Sequence, residues 1–146
     1  MINSVIERLE ALTDDDGKRI INDVKPALDI VETMSDSLKV NVVAFVVLLE
    51  EQPGNNHRDM AYAPAIQTIN ETVGVLIGIR TTGRSEQDKS QLEKVRKAIR
   101  GALFGWTPTP IHSNFLLGKS NIQKIQSRQL FWMDRFTNQH DEEASQ

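Results

Sequence analysis

The sequence contains no cysteine. That absence excludes disulfides, thiolate metal sites and cysteine nucleophiles, and it permits folding in a reducing cytoplasm. No apolar run approaches the roughly 18 residues needed to span a membrane. The first twelve residues set Glu7, Arg8 and Glu10 among their apolar positions, unlike a secretory signal. Positive charge is not in excess: 17 Lys and Arg against 20 Asp and Glu leave a formal charge of −3. A protein that coats nucleic acid needs a concentrated basic face, so that class is disfavoured. What remains is an ordinary globular composition, 39% hydrophobic and 25% charged, in 146 residues. That length suffices for one domain with a real core.

The patterning along the chain reads as an α+β domain. Ile2, Val5, Ile6, Leu9 and Leu12 recur at helical spacing with charges between them. Asp14-Asp15-Asp16-Gly17 then marks a turn, Arg19 to Val24 a weak strand, and Pro26 the opening of a helix reaching about Ser37. Val40 to Leu49 is almost wholly apolar and rich in valine, which predicts a central strand covered on both faces. Ile66 to Thr82 alternates, with Ile69, Val73, Val75, Ile77 and Ile79 on one side, as a half-buried antiparallel strand does. Between these two strands the polar stretch Glu50 to Pro64 predicts an extended arm.

A well-marked helix follows. Ser85 and Asp88 suit its N-terminus, and Leu92, Val95, Ile99, Ala102 and Leu103 form its apolar stripe. Gly105 reads as a left-handed cap, Trp106 folds back on the core, and Pro108 and Pro110 stop the helix. Phe115 to Leu117 and Ile122 to Ile125 predict two short strands about a turn at Gly118 to Asn121. Gln129 to Thr137 is a last strand with Leu130, Trp132, Asp134 and Phe136 on one face. Residues 1–137 therefore form one domain of amphipathic helices on a largely antiparallel sheet. Residues 138–146 read as a polar, disordered tail.

The search for chemistry returns little. In a calcium loop with glycine sixth, Gly17 would put Leu12 in the first ligand position, which leucine cannot fill. His57, His112 and His140 lie in separate segments, none paired with a ligand residue on its own element. Gly74 and Gly78 sit inside a strand rather than in a strand-to-helix turn, so they do not cradle phosphate. Trp106 and Trp132 lack interleaved basic residues and read as packing groups. Lys89, Lys94, Lys97 and Arg100 share their helix with Glu86 and Glu93, as a solvated face does. A metal-dependent enzyme acting on nucleic acid would turn on Glu71, but the acidic-x-lysine pair expected on a neighbouring strand is missing. No catalytic residue, metal ligand or cofactor-binding residue is assigned, and no cofactor or membrane partner is expected.

Two segments are distinctive. The helix ends in Leu103-Phe104-Gly105-Trp106-Thr107-Pro108, and the last strand runs Leu130-Phe131-Trp132-Met133-Asp134-Arg135-Phe136-Thr137. Together with the element order they resemble phage tail terminator proteins of the Mu-like type, in which a helix ends in Leu-x-Gly-Trp-x-Pro and an aromatic strand runs into Asp-x-Phe. The sequence departs from that pattern at Ser37-Leu38-Lys39, where the family often carries a proline. The resemblance makes Gly105, Trp106, Pro108, Trp132, Asp134 and Phe136 a structural signature.

It also implies a virion protein rather than an enzyme. Its subunits would form a ring, commonly hexameric, on the head-proximal end of the tail tube. The ring would end tube polymerisation and meet the head-completion or connector protein, with DNA passing through the lumen without specific binding. Six copies at −3 carry about −18, which discourages DNA from adhering. A head-to-tail completion protein is the alternative. Because long loops carry recognition, His57, Arg58, Asp59 and Tyr62 in the arm are the first candidates for subunit or tube contacts, followed by Arg80 and Arg84.

Overall fold

In the computed structural model, which describes residues 1–58 and 63–145, five strands form one mixed sheet. The elements run α1 (Ile2–Glu10), β1 (Asp23–Pro26), α2 (Ile30–Ser35), β2 (Val42–Asn56), β3 (Ile66–Arg80), α3 (Ser85–Leu103), β4 (Leu116–Gln126) and β5 (Gln129–Glu143). The sheet order is β1-β2-β3-β5-β4, parallel only between β1 and β2. This is an α+β fold.

The alternation in β3 decides the layering. Val73, Val75, Ile77 and Ile79 face a core shared with Val5 and Leu9 of α1 and Val95, Ile99 and Leu103 of α3. Two helices thus cover one face. On the other face Leu76 joins Val47, Phe131 and Met133, with Ile30, Met34 and Leu38 packed over them. Both faces of β3 are therefore buried from Val73 to Ile79, and the expected half-buried strand is a central one. Gly74 and Gly78 explain why the alternation looked polar. A Cβ at Gly74 would stand 2.7 Å from Leu49 and Met133 side-chain atoms, and one at Gly78 would meet Phe131 and Val43 at 3.0 Å. Glycine here is what lets neighbouring side chains close over the strand.

Three further expectations are corrected. Pro26 ends the edge strand β1 instead of opening a helix; α2 starts at Ile30, because the Asp29 side chain accepts from the Glu32 amide at 3.1 Å. The two short strands are one strand, β4, bulged between Leu117 and Ser120 and joined to β5 through Ser127 and Arg128 at positive φ. Residues 138–143 of the expected tail are strand, since β5 pairs with β3 from Arg80↔Gln129 to Ile66↔Glu143. A polar strand holds here because its backbone groups are paired on the β3 side.

The arm is thus a three-stranded extension of the sheet rather than a bare hairpin. It is built from the ends of β2 and β5 and the start of β3.

Candidate functional site

The described sequence-derived candidates fall toward opposite ends of β3. Near the arm's tip, His57 Nε2 lies 2.8 Å from Thr68 Oγ1, which donates to Asp141 Oδ1 at 2.6 Å. Arg58 donates through Nη1 to the Pro64 carbonyl at 3.1 Å and to Glu143 at 2.9 Å. Asp59 and Tyr62 lie outside the described residues. Arg80 ends β3 at its far end, and Arg84 precedes α3. At roughly 3.3 Å per residue, the twelve steps from Thr68 to Arg80 span about 40 Å, so the two groups form no common patch.

The residues expected to form a structural signature sit among backbone ties and packing contacts of the fold. Gly105 has φ 80°, and its amide donates to the Phe115 carbonyl at 2.8 Å. The Phe115 amide in turn donates to the Trp106 carbonyl at 2.9 Å, tying the chain after α3 to the start of β4. The Arg8 guanidinium lies 4.6 Å from the Trp106 ring centre, while Arg8 Nε donates to the Ala102 carbonyl at 2.6 Å, so α1 clasps the end of α3. Pro108 is buried beyond it. Trp132, Asp134 and Phe136 share the helix-covered face of β5, where Asp134 is 1% exposed.

A third grouping joins residues that the sequence scattered. Glu71 of β3, His140 of β5 and His112 of the loop after α3 meet on the helix-covered face, where the arm leaves the core. The loop is tied to β5 by the Ser113 amide on the Gln139 carbonyl (2.8 Å) and by the Gln139 amide on Ser113 Oγ (2.9 Å). His112 Nε2 is 3.0 Å from Glu71 Oε1, and its Nδ1 is 2.5 Å from Thr109 Oγ1. His140 Nδ1 contacts the same Glu71 oxygen, and its Nε2 is 3.0 Å from Glu142 Oε1. The imidazole centres are 4.9 Å apart.

Glu71 is 4% exposed, and the side chains of His112 and His140 are 9% and 11% exposed. The hydrogen bond to Glu142 raises the His140 pKa above its ordinary value; burial opposes this and the Glu71 charge adds to it. No single-element spacing could have revealed the cluster. Its only sequence signal is Glu71 itself, a carboxylate on the apolar side of an alternating strand.

The edge of the sheet carries an apolar surface. Among the described residues β4 bonds only to β5 and leaves its outer side unpaired, with Leu117 40%, Ile122 44% and Ile125 68% exposed on one face. Singly exposed apolar residues are ordinary, but a row along an open strand edge is a template for pairing with another chain. Sequence reading missed this surface, because whether β4 has a second neighbour is a property of the sheet order.

A family model described as phage tail terminator protein matches residues 2–146. No curated protein matches the chain. Among solved structures, a chain from the virion of a native gene transfer agent particle is similar in fold, with TM-score 0.55 and 12% identity. That similarity covers 97% of this chain and 95% of the other.

Proposed function

The chain belongs to the phage tail terminator family, a virion structural family, and from that premise we propose how it acts. Its subunits form a ring, of six copies, that caps the head-proximal end of the tail tube. The ring stops tube polymerisation and offers its other face to a head-completion protein. Its role is structural and non-enzymatic.

The observation that carries this reading is the family match over residues 2–146. The geometry is compatible with it. A head-to-tail contact that closes by rotation makes a ring, and it needs two different surfaces on each subunit. The apolar edge of β4 suits one side of such a contact. The three-stranded arm suits contact with the tube, because paired strands hold a projecting loop at a defined angle.

The test is assembly without the protein, with tails measured by electron microscopy. Tails of uncontrolled length are expected. Tails of normal length that merely fail to join heads would overturn termination and favour a head-to-tail completion role.

A further inference from the structure

We propose that Glu71, His112 and His140 form a binding site for a divalent transition-metal ion of the zinc type, which staples the arm to the domain. The three residues each offer one ligand atom, and these atoms lie within 4.8 Å of one another. Two imidazoles and a carboxylate, without thiolates, form a donor set that zinc and its first-row neighbours favour.

Three observations point to a cation rather than to a plain ion pair. First, both histidines have their remote nitrogen engaged. Nδ1 of His112 is bound to Thr109, and Nε2 of His140 to Glu142. That is the outer arrangement that fixes tautomer and ring direction in metal-bound histidines. The nitrogens left over, His112 Nε2 and His140 Nδ1, both meet Glu71 Oε1.

Second, His140 Nδ1 is buried and has no hydrogen-bond partner despite touching that oxygen. A divalent ion set between that nitrogen and the Glu71 carboxylate would give both a partner, in a buried site that otherwise leaves the nitrogen unsatisfied.

Third, Asn138 stands opposite Glu71 across the β3–β5 ladder, and its Oδ1 is likewise buried without a partner. The two unpartnered buried side-chain atoms among the described residues thus fall two residues apart, on the face of β5 that carries this cluster. An unpartnered acceptor at this register position could take a hydrogen bond from a metal-bound water, which would complete four-coordination. Bound there, the ion joins β3, β5 and the loop at His112, three segments that the sequence keeps far apart. Its role is structural, since the surrounding burial leaves a substrate no approach. The inference stands independently of tail termination.

The experiment uses the full chain, stripped of metal by chelation and dialysis at pH 7.5. Zinc is titrated by calorimetry with thermal unfolding followed in parallel, and Co2+ serves as a spectroscopic probe. One equivalent should bind, the unfolding temperature should rise, and Co2+ should give the visible bands of a low-coordinate nitrogen–oxygen site. His140→Gln and Glu71→Gln should abolish these effects, Glu142→Gln should weaken binding about tenfold, and His57→Gln at the arm's tip should leave it intact. If a variant fails to fold, histidine ring resonances of the wild type give the same answer: zinc should shift His112 and His140 and spare His57. Absence of stoichiometric binding to the wild type would overturn the proposal and leave a proton-sharing cluster. So would one equivalent retained by folded His140→Gln and Glu71→Gln variants.

Discussion

Arg96 holds Asp134 with two nitrogens: Nε stands 3.2 Å from both carboxylate oxygens and Nη2 3.0 Å from Oδ1. The same guanidinium lies 4.5 Å from the Trp132 ring centre, and Trp132 Nε1 donates to Asp134 Oδ1 at 3.1 Å. One arginine thus docks α3 on β5 by a forked ion pair and a ring contact at once. Arg96→Met should cost about 3 kcal/mol, because it leaves a 1%-exposed carboxylate with the indole as its remaining partner. Arg96→Lys should recover only part, since an ammonium cannot fork. Urea unfolding with an unchanged slope checks both; a loss below about 1 kcal/mol for Arg96→Met would mean that the carboxylate finds water.

Gly101 and Gly105 should respond to alanine in opposite directions. A Cβ at Gly101 meets nothing within 4 Å, and the residue lies inside α3, so Gly101→Ala should stabilise by about 0.5–1 kcal/mol. Gly105 also has open space around it but sits at φ 80°, so Gly105→Ala should destabilise by about 1–2 kcal/mol. Thermal midpoints moving the same way in both variants would refute the assignment of the cap.

The turn at Asp14 supplies a pH dependence. Asp14 Oδ1 accepts from the amides of Asp16 (2.9 Å) and Lys18 (3.0 Å), which closes the turn. The Lys18 amide bond is the main cause of a pKa below the ordinary 3.8, with burial working against it. A carboxyl with a lowered folded value contributes stability above about pH 4 and loses it as pH falls through that folded value. Wild type and Asp14→Ala should therefore differ at neutral pH and converge in acid. A difference that persists at pH 2 would rule out the charged acceptor as its source.

Arg58 and the β4 edge separate assembly from folding. The Arg58–Glu143 bridge is exposed, so Arg58→Ala should change stability by less than about 1 kcal/mol. Ile125→Lys, on a side chain 68% exposed, should change it by less than about 0.5 kcal/mol. If the arm meets the tube and β4 meets a neighbouring subunit, both variants lose tail termination while their unfolding curves stay in place. Of the two, only Ile125→Lys should reduce self-association, measured by light scattering. Full termination by both variants would remove these surfaces from the proposed contacts.

The parts of the fold that could be read in advance share a physical feature: they are local. The stripe from Leu92 to Leu103 repeats at helical spacing, and Gly105 followed by Pro108 ends the helix by short-range sterics. The run from Val42 to Val47 is apolar enough to demand cover on both faces wherever it lies. Errors arose where a partner outside the segment decided. Residues 138–143 carry no apolar pattern and become strand because β3 continues beside them. Gly74 and Gly78 looked solvent-facing, yet they are spaces filled by Leu49, Met133, Phe131 and Val43.

By itself the sequence determined the class of the molecule and its family signature. An α+β domain follows from helical and alternating periods, and the ends of α3 and β5 carry the residues on which the resemblance rested. Only the tertiary structure decided what could serve as a site. Glu71, His112 and His140 are successively 41 and 28 residues apart along the chain, and sheet pairing with one loop tether brings them within ligand distance. It likewise decided that β4 is an edge and that Arg58 and Arg80 stand at opposite ends. Periodicity reports which side of an element is buried, whereas contact between elements depends on how long-range pairing closes the chain.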